Sequence, residues 1–344
     1  MRLLVTGSAG FIGAEICRQA EAAGHEVVKI DVLLPQAHAD AIAPADTHRL
    51  DVRDAESWSA LLAGVDVVCH QAALVGAGVR VSDLTGYAGH NDLGTAALLV
   101  AMHEQGVSRL VLASSMVVYG EGRYTCPDHG EVAAAGRSGE DLAAGLFENH
   151  CPHCSRPVDW ALVDEGAPAD PRTSYAASKL AQEHYASAWA RQAEAHAIAL
   201  RYHNVYGPGM PRDTPYSGVA AMFRSSLERG EAPQVYEDGG QMRDFVHVAD
   251  VARANLVAVE AVGSGDRFAA YNVCSGTPIS ILDVATAVSR GAAVGRAPEV
   301  TGGFRVGDVR HVVASPRRAR EDLGFTARIA PTEGLPAFAT APLR

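Results

Sequence analysis

Lysine is almost absent from this chain of 344 residues, where Lys and Arg together number 29 but only Lys29 and Lys179 are lysines. Arginine carries nearly all the positive charge, and 40 acidic residues leave the net charge at −11. A balance of that sign excludes a general binder of nucleic acid or of an anionic membrane, though it leaves room for a local basic pocket. No apolar run is long enough to span a bilayer, so no membrane anchor is expected. The first residues enter a strand pattern directly and leave no room for a signal peptide, so the expected location is the cytoplasm. Aromatic residues are sparse at 6%, while 48% hydrophobic and 20% charged residues describe an ordinary globular chain. The length suffices for one large or two modest domains. Cysteine is also scarce. Cys17, Cys69 and Cys274 stand singly in apolar stretches, as small core residues do, whereas Cys126, Cys151 and Cys154 are grouped.

What is present begins with a short apolar run, Met1 to Thr6, followed by Gly7-Ser8-Ala9-Gly10-Phe11-Ile12-Gly13 and a helical pattern from Ala14 to Ala23. Strand, glycine turn and helix in that order suit a dinucleotide pyrophosphate. One glycine makes the tight turn, the next lets backbone approach phosphate, and the third lets helix and strand pack closely. The helix start then presents free N–H groups and a positive dipole end to the anion. A second strand, Glu26 to Ile30, ends in Asp31, an acid placed to accept hydrogen bonds from the adenosine ribose. Val32-Leu33-Leu34 offers no Arg or Lys for a 2′-phosphate, so the sequence favours NAD over NADP.

Strand and helix patterns alternate through roughly the first 200 residues, which predicts an α/β fold with a doubly wound parallel (Rossmann) sheet. Further strands are expected before Asp51-Val52, at Val65–Cys69, at Arg109–Ala113 and at Ala197–Tyr202, with helices at Asn91–Gln105 and Tyr175–Ala195. Later come a helix at Val248–Val262, a strand at Tyr271–Val273, a helix capped by Ser280 and a short one opened by Ser315-Pro316. We expect residues 1–206 to form the NAD-binding domain, with 244–275 returning to it. Residues 207–243 and 276–344 then form a smaller C-terminal lobe over the carboxyl ends of the strands, where open α/β sheets bind ligands.

Tyr175 and Lys179 stand four apart, on one face of a helix. A lysine ammonium beside a phenol favours the phenolate, and a tyrosine so tuned can take a proton from a hydroxyl while hydride leaves for NAD. At this point the chain resembles the extended short-chain dehydrogenase/reductases, the nucleotide-sugar epimerase and dehydratase family. The matching residues are the glycine loop, Asp31, His70-Gln71-Ala72-Ala73, Asn91 with Gly94-Thr95, Ser114-Ser115 with Val118-Tyr119-Gly120, and Tyr175 with Lys179. They continue with Arg201-Tyr202-His203-Asn204-Val205-Tyr206-Gly207-Pro208 and Arg243-Asp244-Phe245-Val246-His247-Val248-Ala249-Asp250. The resemblance runs over about nine tenths of the chain in the family's order.

The resemblance implies Ser115 as the catalytic hydroxyl, Tyr175 as the base and Lys179 as its partner. It implies that NAD is held by Gly7, Gly10, Phe11, Ile12, Gly13, Asp31, Asp51, Val52, Gln71, Ala72, Ala73, Asn91, Ser114, Tyr175, Lys179, Tyr202, His203 and Val205. Ser115, Asn204, Tyr216, Val219, Arg243 and Arg305 are then expected at a nucleotide-diphosphate sugar, with a UDP-sugar favoured, and Val75–Gly78 and Met210–Asp213 near the sugar itself. A homodimer through the two long helices is also implied. Dehydratases of the family carry Asp-Glu between the catalytic hydroxyl and the Val-Tyr-Gly triplet, and the decarboxylating branch a Glu; here Met116-Val117 can serve as neither acid nor base. The expected reaction is therefore NAD-dependent inversion at carbon 4 through a 4-keto sugar. A 4-ketoreductase or another epimerase is the alternative, and a non-catalytic NAD-binding scaffold a more distant one.

Sixty positions separate Ser115 from Tyr175, several dozen more than usual for the family. Within the excess, at residues 121–165, lie Cys126-Pro127-Asp128-His129 and Cys151-Pro152-His153-Cys154. Two such knuckles supply four ligands for a closed, structural zinc site: Cys126, His129, Cys151 and Cys154, with His153 as the alternative histidine. A redox disulfide within Cys151–Cys154 would leave Cys126 and His129 without a role.

Overall fold

Alternate residues of the first strand face opposite ways, and both faces are apolar. Leu3 and Val5 join one core with Val67, Cys69, Val111 and Leu200, while Leu4 joins another with Val28, Val68, Leu110 and Ala199. A strand buried on both faces belongs in a parallel sheet between helix layers, and that is the architecture of the computed structural model, which describes residues 1–35, 44–134, 136–212 and 218–344. Seven strands run parallel in the spatial order Phe268–Val273, His196–Tyr202, Arg109–Ser115, Val67–His70, Arg2–Thr6, Glu26–Asp31, Thr47–Arg49. The helices Phe11–Ala22 and Val248–Ala261 supply core residues on one face, and Gly94–Glu104 and Ser174–Gln192 on the other. Cys17, Cys69 and Cys274 are buried, as their apolar settings require.

Two local departures from the sequence pattern matter for the site. The expected helix over Asn91–Gln105 is preceded by a π-helical turn, Ala88–Leu93, before regular α-helix begins at Gly94. That wide turn aims Asn91 inward: its amide donates to the Leu74 carbonyl (3.0 Å) and Ser178 Oγ (2.8 Å), and its oxygen accepts from the Leu74 N–H (2.7 Å). The second departure is Met242–His247, which pairs with Asn204–Tyr206 and Pro278–Ser280 in a separate three-stranded sheet. The helix Val248–Ala261 and the strand Phe268–Val273 return to the main layers, where Ala319 of the later helix Arg317–Leu323 joins the same core. The second lobe has its own core, including Tyr206, Phe223, Phe245, Val284, Leu335 and Phe338. Ser280 caps the helix Ile281–Gly291, its Oγ accepting from the Asp283 N–H at 3.0 Å.

The inserted stretch is ordered as an antiparallel sheet of Gly130–Val132, Arg123–Cys126 and Asp159–Ala161 with the short helix Gly139–Ala143. Its core is small: Tyr124, Cys126, Val132, Cys151 and Val158. Two of those five are thiols, so little apolar area holds the segment together.

A candidate active site between the two lobes

The glycine turn is enforced by contact. Gly7 adopts φ +67°, and a Cβ there would lie 2.7 Å from the Ala72 nitrogen; a Cβ on Gly13 would lie 2.0 Å from the Gly7 oxygen. Helix Phe11–Ala22 starts at Gly10 with no side-chain cap, which leaves its first N–H groups facing the cleft. Asp31 fixes the loop, its carboxylate accepting from the Ala9 N–H (3.0 Å) and the Leu33 N–H (2.8 Å).

The cleft has a volume of about 360 Å³, in the range of small-molecule sites. It is lined by Gly7, Gly10, Phe11, Ile12, Gly13, Asp31, Asp51, Val52, Gln71, Ala72, Ala73, Ser114, Ser115, Tyr175, Lys179, Tyr202, His203, Asn204, Val205 and Val219. These come from the carboxyl ends of several strands and from the second lobe, so the sequence motifs converge on one place. Asp51 is held below the usual carboxylate range: burial would raise it, but Arg53 outweighs burial through a bidentate contact. The Tyr202 hydroxyl bridges Gln71 and Asn255, each at 3.0 Å. Burial drives the His203 imidazole down to about 3, so it is neutral.

At the centre, burial pushes the Tyr175 phenol up to about 12, against the opposing pull of Ser115. Lys179 is 3% exposed, and burial brings its ammonium down to about 8 against the opposing pull of Glu183. Its Nζ donates to the Ala113 carbonyl at 3.0 Å. The opposing pull on the Tyr175 phenol comes from Ser115 and not from Lys179, and removal of the phenol from water outweighs it. Lys29, the other lysine, is structural: it bridges Glu21 and Asp46, each at 2.6 Å. Helix Ser174–Gln192 is positioned by Thr173, whose hydroxyl caps the Ala176 N–H, and by Ser174 Oγ, which donates to the Gly78 carbonyl (2.8 Å).

Of the other expected residues, Asn91, Arg243 and Arg305 are not on the cleft lining. Asn91 is spent on Leu74 and Ser178 and has no face on the cleft; it positions the helix below the reactive tyrosine. Ser114 lines the cleft, while its hydroxyl donates to Glu183. Arg243 is not among the cleft-lining residues: it donates to the carbonyls of Met242 (2.8 Å), Val309 (2.6 Å) and Arg310 (2.8 Å). Arg305 lies over the Tyr236 ring at 5.3 Å. Tyr216 and Asp213 fall outside the described residues. Val75 and Met210 do line the cleft. Sequence reasoning missed Arg344, which enters the cleft and donates to the Ala9 carbonyl. It also missed Asn255 and Glu183, whose roles rest on pairings remote in sequence.

In the insert, the candidate ligand atoms of Cys126, His129, Cys151 and Cys154 all lie within 4.8 Å of one another. Cys126 Sγ is 3.7 Å from Cys154 Sγ and 3.5 Å from His129 Nδ1, and Cys151 Sγ is 3.6 Å from His129 Nδ1. Tetrahedral zinc with ordinary bond lengths sets such atoms about 3.5–3.8 Å apart, so the four residues fit that ion. His153 packs its ring against His129, with centroids 5.1 Å apart.

Glu148, between the two knuckles, meets Arg310 at 2.5 Å and His311 at 2.9 Å. Burial would raise its carboxyl, but His311 and Arg310 prevail and hold it at about 2. A carboxylate lowered on folding adds stability that is present above its unfolded value and fades as pH falls toward about 2. Glu148→Gln should therefore flatten the acid limb of stability between about pH 4.5 and 2. Superimposable acid-unfolding curves for the two proteins would contradict this.

The chain belongs to the NAD dependent epimerase/dehydratase family, whose sequence profile matches residues 3–137 and 158–274. The interval it skips, 138–157, carries Cys151 and Cys154. Among individual proteins, the dTDP-L-rhamnose 4-epimerase of Burkholderia thailandensis is 34% identical, covering 94% of this chain and 90% of its own length. The NAD complex of the Thermus thermophilus UDP-glucose 4-epimerase superposes with a TM-score of 0.76 at 30% identity, with 98% of each chain covered. The Thermotoga maritima UDP-glucose 4-epimerase with UDP-glucose gives 0.80 at 26% identity, covering 98% of this chain and 97% of its own.

Proposed function

We propose that this protein is an NAD-dependent 4-epimerase of a nucleotide-diphosphate sugar. The observation that carries the reading is the convergence of Ser115, Tyr175 and Lys179 on the cleft, with Ser115 close enough to act on the Tyr175 phenol and Lys179 one helical turn further along. The residues around the glycine loop fit NAD: an uncapped helix start for the pyrophosphate, Asp31 for the ribose, and neutral, largely buried groups at Tyr202 and His203 for the nicotinamide end. When bound, NAD supplies a hydride acceptor and donor for carbon 4. Tyr175 takes the proton of the 4-hydroxyl, with Ser115 holding that oxygen, and returns it to the same oxygen once the keto sugar has turned over and presents the other face of carbon 4. Met116 and Val117, on the turn after Ser115, carry no proton-transferring group, which disfavours elimination of water.

A 4-ketoreductase is the second reading, and cofactor behaviour separates the two. The epimerase should be purified with NAD bound and should turn over without added nucleotide. An absolute requirement for added reduced cofactor would favour the ketoreductase. The nucleotide is expected to be UDP or dTDP. The Cys126, His129, Cys151, Cys154 cluster is read as a structural zinc site, since four protein ligands leave no open position.

A homodimer is proposed through the π–α helix and helix Ser174–Gln192, whose surfaces expose Leu93 (57%), Val100 (58%) and Tyr185 (44%). A cytoplasmic location fits the absence, among the described residues, of any helix long and apolar enough to cross a membrane. Val100→Glu should convert the dimer to a monomer in light scattering. A wild-type protein that is already monomeric at micromolar concentration would remove this proposal.

A further inference from the structure

The insert grips the segment that holds Arg243. Glu148 accepts from Arg310 Nε and sits on His311 Nε2, each at 2.9 Å. The Tyr124 hydroxyl, two residues before Cys126, accepts from the His311 N–H at 3.1 Å. Arg137 donates to Glu237 (2.7 Å), which also accepts from Arg310 (2.8 Å), and to the Asp308 carbonyl (2.7 Å). Arg310 is 1% exposed and the Glu237 side chain 3%, so the arginine end of the network is shielded from water, while Glu148 and Asp238, which also accepts from Arg310 (2.8 Å), meet it from the more open side. On its far side, the Val309 and Arg310 carbonyls accept from Arg243. A guanidinium has five donors. The carbonyls of Met242, Val309 and Arg310 take three and fix the plane of the group, and the Asp308 and Glu237 carboxylates act on it from nearby.

We propose that the insert is the frame that positions Arg243 for the substrate diphosphate, with Glu148 as the positioning residue that locks Arg310 and His311 in place. This rests on reading Arg243 as a diphosphate ligand. Glu148 touches neither the glycine loop nor Ser115 and Tyr175, so its effect falls on substrate affinity rather than on NAD retention or the chemical step. The insert thereby gives this chain a determinant of diphosphate binding contributed from a segment that the family profile skips in part.

The test is calorimetric titration of the purified full-length holoenzyme with UDP and with dTDP, using whichever the wild type binds, alongside steady-state kinetics. Glu148→Ala should raise the nucleotide Kd and the sugar-nucleotide KM about tenfold, the size expected for loss of a charged hydrogen bond, with kcat and bound NAD unchanged. Glu148→Gln should recover part of the loss, because its amide oxygen still accepts from Arg310; it also carries the test should the alanine variant not fold. An unchanged Kd in the Glu148 variants, beside a raised Kd in Arg243→Ala, would overturn the proposal. An unchanged Kd in Arg243→Ala would instead remove the assignment of Arg243 on which it rests.

Discussion

Tyr175→Phe should fold, retain NAD and lose turnover by a factor on the order of 10²–10⁴, the usual worth of a positioned acid–base group. The substitution removes one hydroxyl from a helix anchored elsewhere, by the Thr173 cap, the Ser174–Gly78 contact and the Asn91–Ser178 bond. The lining of the glycine loop is untouched, so bound NAD serves as the control for structure. Because burial holds the free phenol at about 12, its proton affinity must fall once the site is loaded. Lys179, brought down to about 8, is the nearby group that can supply charge for this. Wild-type turnover in Tyr175→Phe would show that another group moves the proton.

The second large effect is expected from the insert. The double variant Cys151→Ser, Cys154→Ser should lose about one zinc per chain, become protease-sensitive between Cys126 and Val163, and still bind NAD. Structural zinc binding and folding are one equilibrium in such small segments. The insert core of Tyr124, Cys126, Val132, Cys151 and Val158 is too small to order it by burial alone. On the proposal that residues 308–311 hold Arg243 in place, losing the contacts from Tyr124, Arg137 and Glu148 to that segment should also weaken substrate affinity, by roughly tenfold to a hundredfold from several lost charged hydrogen bonds. Metal analysis that finds no zinc in wild-type protein purified under reducing conditions without chelator would contradict the assignment. Zinc retained in the double variant would mean other ligands.

Features legible in the sequence are those whose chemistry is local. The glycine loop, Asp31, the Tyr175–Lys179 pair and the two knuckles each declare themselves within a few positions, because a turn, one helix face or a pair of ligands fixes their spacing. The strand pattern was legible for the same reason, since burial on both faces leaves continuous apolar runs. What stayed hidden depends on pairings across the chain. Nothing near Asn91 in sequence signals the π turn that aims it at Leu74 and Ser178. Nothing near Arg243 in sequence signals that the carbonyls of Val309 and Arg310, more than sixty positions away, take two of its donors and that of its neighbour Met242 a third. Glu148 and Arg310 are separated by 162 positions, and nothing near either one signals the other. Arg344 reaches the glycine loop from 335 positions away.

The most direct test of the central claim is to incubate the purified protein, with no added cofactor and in deuterated water, with a panel of UDP- and dTDP-sugars, and to follow the sugar ring by NMR. Return of the same hydride to the opposite face predicts inversion at carbon 4 with no deuterium at any ring carbon. Inversion accompanied by deuterium, which would mark proton abstraction from carbon, or accumulation of a dehydrated keto sugar would contradict the account.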